Sequence, residues 1–164
     1  MKSTRGISRE CGAVILWRIS NYADLSGAGG VLHGGRWHHR GRPVVYLAES
    51  PAGALVEALV HVQASHAGEL PTNYQLLEVA VPDEVVAEPV QLPQGVAWSD
   101  DVALTRGCGD AWLASGRSLL LRVPSAVVGR SFNCLFNPLH GQAGQCRVLS
   151  VARYPFDGRL VHGR

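Results

Sequence analysis

Six glycines fall within residues 26–41, SGAGGVLHGGRWHHRG, a density that no helix or strand carries comfortably. The stretch reads as a long loop with turns, and such a loop in a compact domain is usually functional or mobile. The residues after it are regular. PVVYLA (43–48) reads as a strand. Ser50 and Pro51 then supply the N-cap and first position of a helix running to about His66. Residues 34–59 therefore run loop, strand, helix. They place Arg36, Tyr46 and Glu57 at intervals of ten and eleven residues. An arginine for a phosphate, an aromatic to stack on a ring and a carboxylate to meet a developing cation are the parts needed to break a glycosidic bond in a dinucleotide.

The rest of the chain is mostly strand. VILWRIS (14–20) is β-rich and reads as a buried first strand. NYQLLEVAVP (73–82), SLLLRVPS (118–125) and CRVLSVARYPF (146–156) read as further strands, with a short one at 85–90. Residues 100–115 carry helical stretches interrupted by Gly107 and Gly109, and SFNCLFNPLHGQ (131–142) reads as a loop rich in Asn and aromatics. Residues 1–11 are polar and expected to fray. Many strands with few helices predict an α+β domain on mixed or antiparallel sheets. Its 164 residues suit one domain, 1–164, with a core from about 15 to 155.

Composition narrows the function classes. Charged residues make up 17% of the chain and hydrophobic ones 46%, which argues against disorder. A net charge of +2 is too mild to argue for nucleic acid, and an arginine-dominated basic set suits bidentate binding of phosphate or carboxylate. Cys11, Cys108, Cys134 and Cys146 show no CxxC spacing and suit reduced thiols in the cytoplasm. No signal peptide is seen, and no apolar run reaches the roughly 20 residues of a membrane span. His33, His38, His39 and His140 fit no standard ligand spacing, so no metal is expected.

Each candidate has a functional and a structural reading. Arg36 follows Gly34 and Gly35, whose backbone can approach a ligand closely, or it is a solvated loop arginine. Arg18 interrupts an apolar strand; it sits on a solvated face, or it is covered and needs an anionic partner. Tyr46 is a site residue or a core tyrosine with its hydroxyl satisfied. The helix from Ser50 is apolar over most of its circumference, which predicts that it is largely buried. Glu57 and His61, four apart, share one side of it. On such a helix a carboxylate lies on a narrow solvated strip or faces a cavity. Ser125 could bond a phosphate or ribose, and Asn133 and Asn137 could read ribose or amide groups; the alternative for all three is a turn. Cys134 has no placed His and Asp partner to make it a nucleophile.

Taken together these pieces resemble the RES-domain toxins of bacterial Xre–RES toxin–antitoxin systems. The Arg, Glu and Ser of that family match Arg36 in GGRW, Glu57 in ALVEAL and Ser125 in VPSAVV. WRIS, PVVYLAESPAGALVE and SFNCLFNPLH extend the resemblance over roughly residues 15–155. It implies a fold related to ADP-ribosyltransferases, a cytoplasmic toxin that depletes NAD, and an Xre-type antitoxin that covers the site. NAD is then a substrate, and no cofactor is expected. By the same resemblance Arg18 and Arg36 hold the NAD phosphates, Gly35 also binds NAD, Tyr46 stacks near nicotinamide or ribose, Glu57 supports cleavage, and Ser125 and Asn133 line the pocket. One departure is visible: the family often has Asn after GGRW, where this chain has His38. Water, phosphate and a protein side chain all remain open as acceptors, the last making the chain a mono-ADP-ribosyltransferase. A non-catalytic nucleotide- or protein-binding module is the alternative from another class. A homodimer is compatible with the sequence and not required by it.

Overall fold

The computed structural model describes residues 12–64 and 67–161. The expected fraying of 1–11 lies outside them. Among the described residues three helices and seven strands form an α+β fold around one mixed sheet. The elements are β1 (Ala13–Ser20), α1 (Ala28–Leu32), β2 (Val45–Ala48), α2 (Pro51–Val62), β3 (Gln75–Pro82), β4 (Glu88–Pro89), α3 (Val102–Ser115), β5 (Leu120–Pro124), β6 (Phe132–Phe136) and β7 (Arg147–Arg153). The sheet order is β4-β5-β6-β2-β1-β3-β7. Only β4 and β5 are parallel.

Period-two burial organises the sheet. On one face Leu16, Val45, Leu47, Leu77, Val79, Val81, Leu120, Cys134 and Phe136 form a continuous core. The other face carries two smaller clusters. Trp37, Leu121, Val123 and Leu135 pack with Trp112 of α3, and Ile19 and Ala48 pack with Ala54 and Ala58 of α2. The join between β1 and β2 is narrow. β1 pairs with β3 along its whole length, Ala13 opposite Pro82 through Ser20 opposite Gln75. It pairs with β2 at a single position, Trp17 opposite Ala48. Past that point the two strands part.

Four expectations need correction. The segment 131–142 is not all loop: Phe132–Phe136 is a strand, paired with both β2 and β5. Its asparagines mask a β-prone FNCLF core in which Leu135 is 0% and Phe136 1% exposed. The glycine-rich loop contains the five-residue α1. α2 is not largely buried: Ala54 and Ala58 are its buried residues, and Val60 is 49% exposed. It begins as expected, with Ser50 Oγ accepting from Gly53 N at 3.0 Å, and ends at Val62 where Gln63 turns left-handed. The small residues let α2 lie close against β1.

α3 is one helix through both glycines. Asp101 caps it by accepting from Leu104 N at 2.9 Å, and Gly116 ends it at φ 59°. Two helical glycines cost about 1 kcal/mol each, which burial of Trp112 and Thr105 offsets. The glycines differ in kind. A Cβ at Gly107 meets nothing within 4 Å, whereas one at Gly109 collides with the Trp37 carbonyl. Gly107→Ala is therefore expected to stabilise by about 0.5–1 kcal/mol. Gly109→Ala should destabilise by about 1–3 kcal/mol through overpacking. Urea unfolding of both variants checks the opposite signs.

Candidate active site

Where β1 and β2 part, a cavity of about 460 Å³ opens, within the range of small-molecule sites. Arg18 and Ser20 lie on the β1 side and Tyr46 and Leu47 on the β2 side. α2 contributes Glu57 and His61, the glycine loop contributes Gly30, Gly34, Gly35 and His38, and β6 contributes Asn133.

Glu57 is the polar hub. Its Oε1 accepts from Ser125 Oγ at 2.8 Å and from Asn133 Nδ2 at 2.8 Å. Ser125 Oγ in turn accepts from the backbone N–H groups of Val127 at 3.2 Å and Val128 at 3.0 Å. With its lone pairs engaged, the serine hydroxyl must donate to Glu57. Ser125 and Asn133 are both buried. The carboxylate is thus fixed through one oxygen. Among the described residues none donates to Oε2. The structure brings Glu57, Ser125 and Asn133 together, with Ser125 holding Glu57 rather than lining the cavity. Asn137 is a turn residue, its Oδ1 accepting from Leu139 N at 3.0 Å.

A second network holds Tyr46. His38 Nε2 lies 3.1 Å from the carbonyls of both Gly30 and His33, so that nitrogen carries the proton. Nδ1 must then accept, and Tyr46 donates to it across 2.8 Å. The same hydroxyl accepts from Trp37 N–H at 3.1 Å. Burial lowers the His38 pKa and pushes the Tyr46 phenol well up. Both groups are therefore neutral at pH 7. Gly35 is obligatory beside them, since a Cβ there would sit 2.5 Å from the Tyr46 oxygen. His38 thus carries the local loop contacts.

The two arginines part company. Arg18 is half-buried; desolvation brings its pKa down to about 10, opposed by Asp24. Its NH1 donates to the Asp24 carbonyl at 3.1 Å. The Asp24 carboxylate is engaged with Ser26, and among the described residues Arg18 has no ion pair. A half-buried cation on a cavity wall is a natural seat for an anion. Arg36 stands apart. Its guanidinium donates to the Ser99 carbonyl at 2.9 Å and does not line the cavity.

Sequence reasoning missed Asn21, Tyr22 and Tyr74, which line the cavity. The first two follow β1 directly, where a strand end delivers side chains to a site. The Tyr22 ring packs against Gly29, where a Cβ would lie 3.1 Å from it. The histidines are dispersed: His39 pairs with Asp110 at 2.7 Å and His140 bonds Gln142 N. Among the described residues no group of three or more His, Cys, Asp or Glu could hold a metal ion. Burial pushes the Cys134 thiol up to about 12, far from a thiolate. Among the described residues no helix is long and apolar enough to cross a membrane.

Residues 15–157 match the family model described as RES domain. The chain belongs to the RES domain family. A Pseudomonas putida protein named Toxin Res is 47% identical over 148 residues, covering 90% of this chain and 99% of the relative. A Sphingobium protein named Prs ADP-ribosylating toxin is 39% identical over 158 residues, covering 88% and 95%. Among solved structures, the M. tuberculosis MbcT–MbcA toxin–antitoxin complex has a similar chain at TM-score 0.67 and 22% identity, over 87% of this chain and 84% of that one. That likeness bears on the fold.

The buried imidazole sets a pH dependence. The ordinary value is 6.5 and the folded value lies below it. The unfolded chain therefore takes up this proton first, so stability is whole above pH 6.5 and is lost as pH falls through the folded value. His38→Asn keeps a donor and an acceptor but does not titrate. Urea midpoints at about pH 8 and pH 5 should fall less for this variant than for the parent; equal falls would place the acid sensitivity elsewhere.

Proposed function

We propose that the chain is the toxin of a toxin–antitoxin pair and that it breaks the nicotinamide–ribose bond of NAD. The observation that carries this reading is the Glu57 carboxylate, fixed by Ser125 and Asn133 on a cavity that Arg18 also lines. Nicotinamide leaves as a neutral molecule from a cationic ring, so the bond needs little acid catalysis. The electron pair of the C–N bond goes to the ring nitrogen, and positive charge builds on the ribosyl carbon. A fixed carboxylate stabilises that charge as it forms. The family's relatives named Toxin Res support the toxin reading, and the toxin–antitoxin complex among solved structures supports an antitoxin partner. We assign that partner to the Xre type by the sequence resemblance.

Arg18 is the side chain best set to receive a phosphate. Arg36 would have to leave Ser99 to do so. Tyr46, held by His38 and Trp37, is set to contact the sugar or nicotinamide. The acceptor is water, which loses a proton as it bonds to the ribosyl carbon, or inorganic phosphate. A second reading, transfer of ADP-ribose to a protein side chain, is favoured by the relative named Prs ADP-ribosylating toxin. The same carboxylate serves all three.

Nicotinamide release from NAD by the purified chain, in water, in phosphate buffer and with cell extract, tests the reading and names the acceptor. Glu57→Gln keeps the shape and removes the charge. It should cut turnover by ~100-fold or more with folding intact. Ser125→Ala leaves Asn133 as one donor and should cost less. Full turnover by folded Glu57→Gln would remove Glu57 from the mechanism, and an inert parent chain would leave only a binding role.

A further inference from the structure

One face of α3 grips the loop that borders the cavity. Arg106 Nε donates to the Gly35 carbonyl at 2.8 Å. Thr105 Oγ1 donates to the Arg36 carbonyl at 2.7 Å, in preference to the Val102 and Asp101 carbonyls of its own helix at 3.1 and 3.3 Å. Gly109 lies against the Trp37 carbonyl, and Asp110 accepts from His39 N–H at 3.1 Å. Thr105 is 0% exposed, which makes its hydroxyl a committed contact rather than a surface one. Four loop residues, 35, 36, 37 and 39, are thus set by residues 105, 106, 109 and 110.

The planar trans peptide carries this grip through to the cavity, because its C=O and N–H point in opposite directions. With the Arg36 carbonyl turned to Thr105, the Trp37 N–H must point away from α3. It reaches the Tyr46 hydroxyl at 3.1 Å, on the cavity wall. With the Gly35 carbonyl turned to Arg106, the Arg36 N–H points away from α3 in the same manner. The helix faces one side of the loop, and Tyr46 faces the other.

We propose that Thr105 and Arg106 are positioning residues of the site: by holding the carbonyls of Arg36 and Gly35 from behind, they aim the Trp37 N–H at Tyr46 and so fix Gly35 and Tyr46 on the cavity wall where the substrate binds. This rests on the NAD-cleaving reading of the same cavity. It gives the arginine of GGRW a role through its backbone, which its side chain, bonded to Ser99, does not provide. It also gives α3, which contributes no lining residue, a share in substrate binding.

The test uses the full chain with Thr105→Val, which keeps the shape and removes the donor, Thr105→Ser as the rescue, and Arg106→Met as an independent variant. Hydrogen exchange at the Trp37 amide and the kinetic constants for NAD are read together. Thr105→Val should speed exchange at Trp37 by roughly 10-fold and raise KM by roughly 10-fold, with kcat changed far less. Thr105→Ser should restore both, and Arg106→Met should raise KM in the same direction. A merely structural role predicts lower stability with KM unmoved. Unchanged Trp37 exchange and KM in folded Thr105→Val and Arg106→Met, or failure of Thr105→Ser to rescue, overturns the proposal. A parent chain that consumes no NAD sinks the functional reading instead, and the exchange data alone then decide whether α3 sets the loop.

Discussion

β1 and β2 meet only where Trp17 faces Ala48, and the cavity exists because the strands separate past that pair. A fully zipped sheet would have sealed Arg18, Ser20, Tyr46 and Leu47 into a ladder. The separation is sustainable because each strand is held on its other side. β1 has its full ladder with β3, and β2 has β6, from Val45 opposite Phe136 to Ala48 opposite Asn133. The gap is then flanked by α2 on one side and the glycine loop on the other, so polar side chains meet there instead of backbone. The site is an interruption of the sheet, and its walls are as rigid as the ladders behind them.

The glycine loop gains its order from outside itself. Six glycines leave it with little preference of its own. Its shape is imposed by His38, which bonds Gly30, His33 and Tyr46, and by α3, which holds the backbone from the rear. Gly35 and Gly109 serve close approach, one to the Tyr46 hydroxyl and one to the Trp37 carbonyl. His38 keeps this network neutral. Burial suppresses its protonation, so the hydroxyl of Tyr46 stays a donor to Nδ1 and an acceptor from Trp37. A loop ordered in this way can present its peptide groups to a ligand in a fixed direction.

Much of the fold is legible in the sequence because its signals are local. Ser50 and Pro51 start α2, and alternation in VILWRIS and QLLEVAVP marks β1 and β3. The strands expected at 43–48, 118–125 and 146–156 are shorter in the structure, because pairing stops before propensity does. β6 is hidden because Asn133 is a poor strand former in isolation, yet two partner strands outweigh it. The breaks expected at Gly107 and Gly109 fail for the related reason that capping and burial of α3 exceed the glycine cost. Glu57, Tyr46 and Arg18 stand out as unusual residues in regular elements. The destination of the Arg36 side chain does not, because the Ser99 carbonyl that receives it is 63 residues away.

The same distance governs the chemistry. Glu57 stands on α2, which packs on β1, while its two donors come from the turn after β5 and from β6, 68 and 76 residues further along the chain. No window of sequence contains the carboxylate and its donors together. The bonds at 2.8 Å form only when α2, seated through Ala54 and Ala58, and the β5–β6 pair have both docked on the sheet. One carboxylate oxygen is then held by the fold, on a residue that lines the cavity. A charge oriented by long-range contacts is preorganised before any substrate arrives, and that is the condition under which a carboxylate contributes most to a cationic transition state.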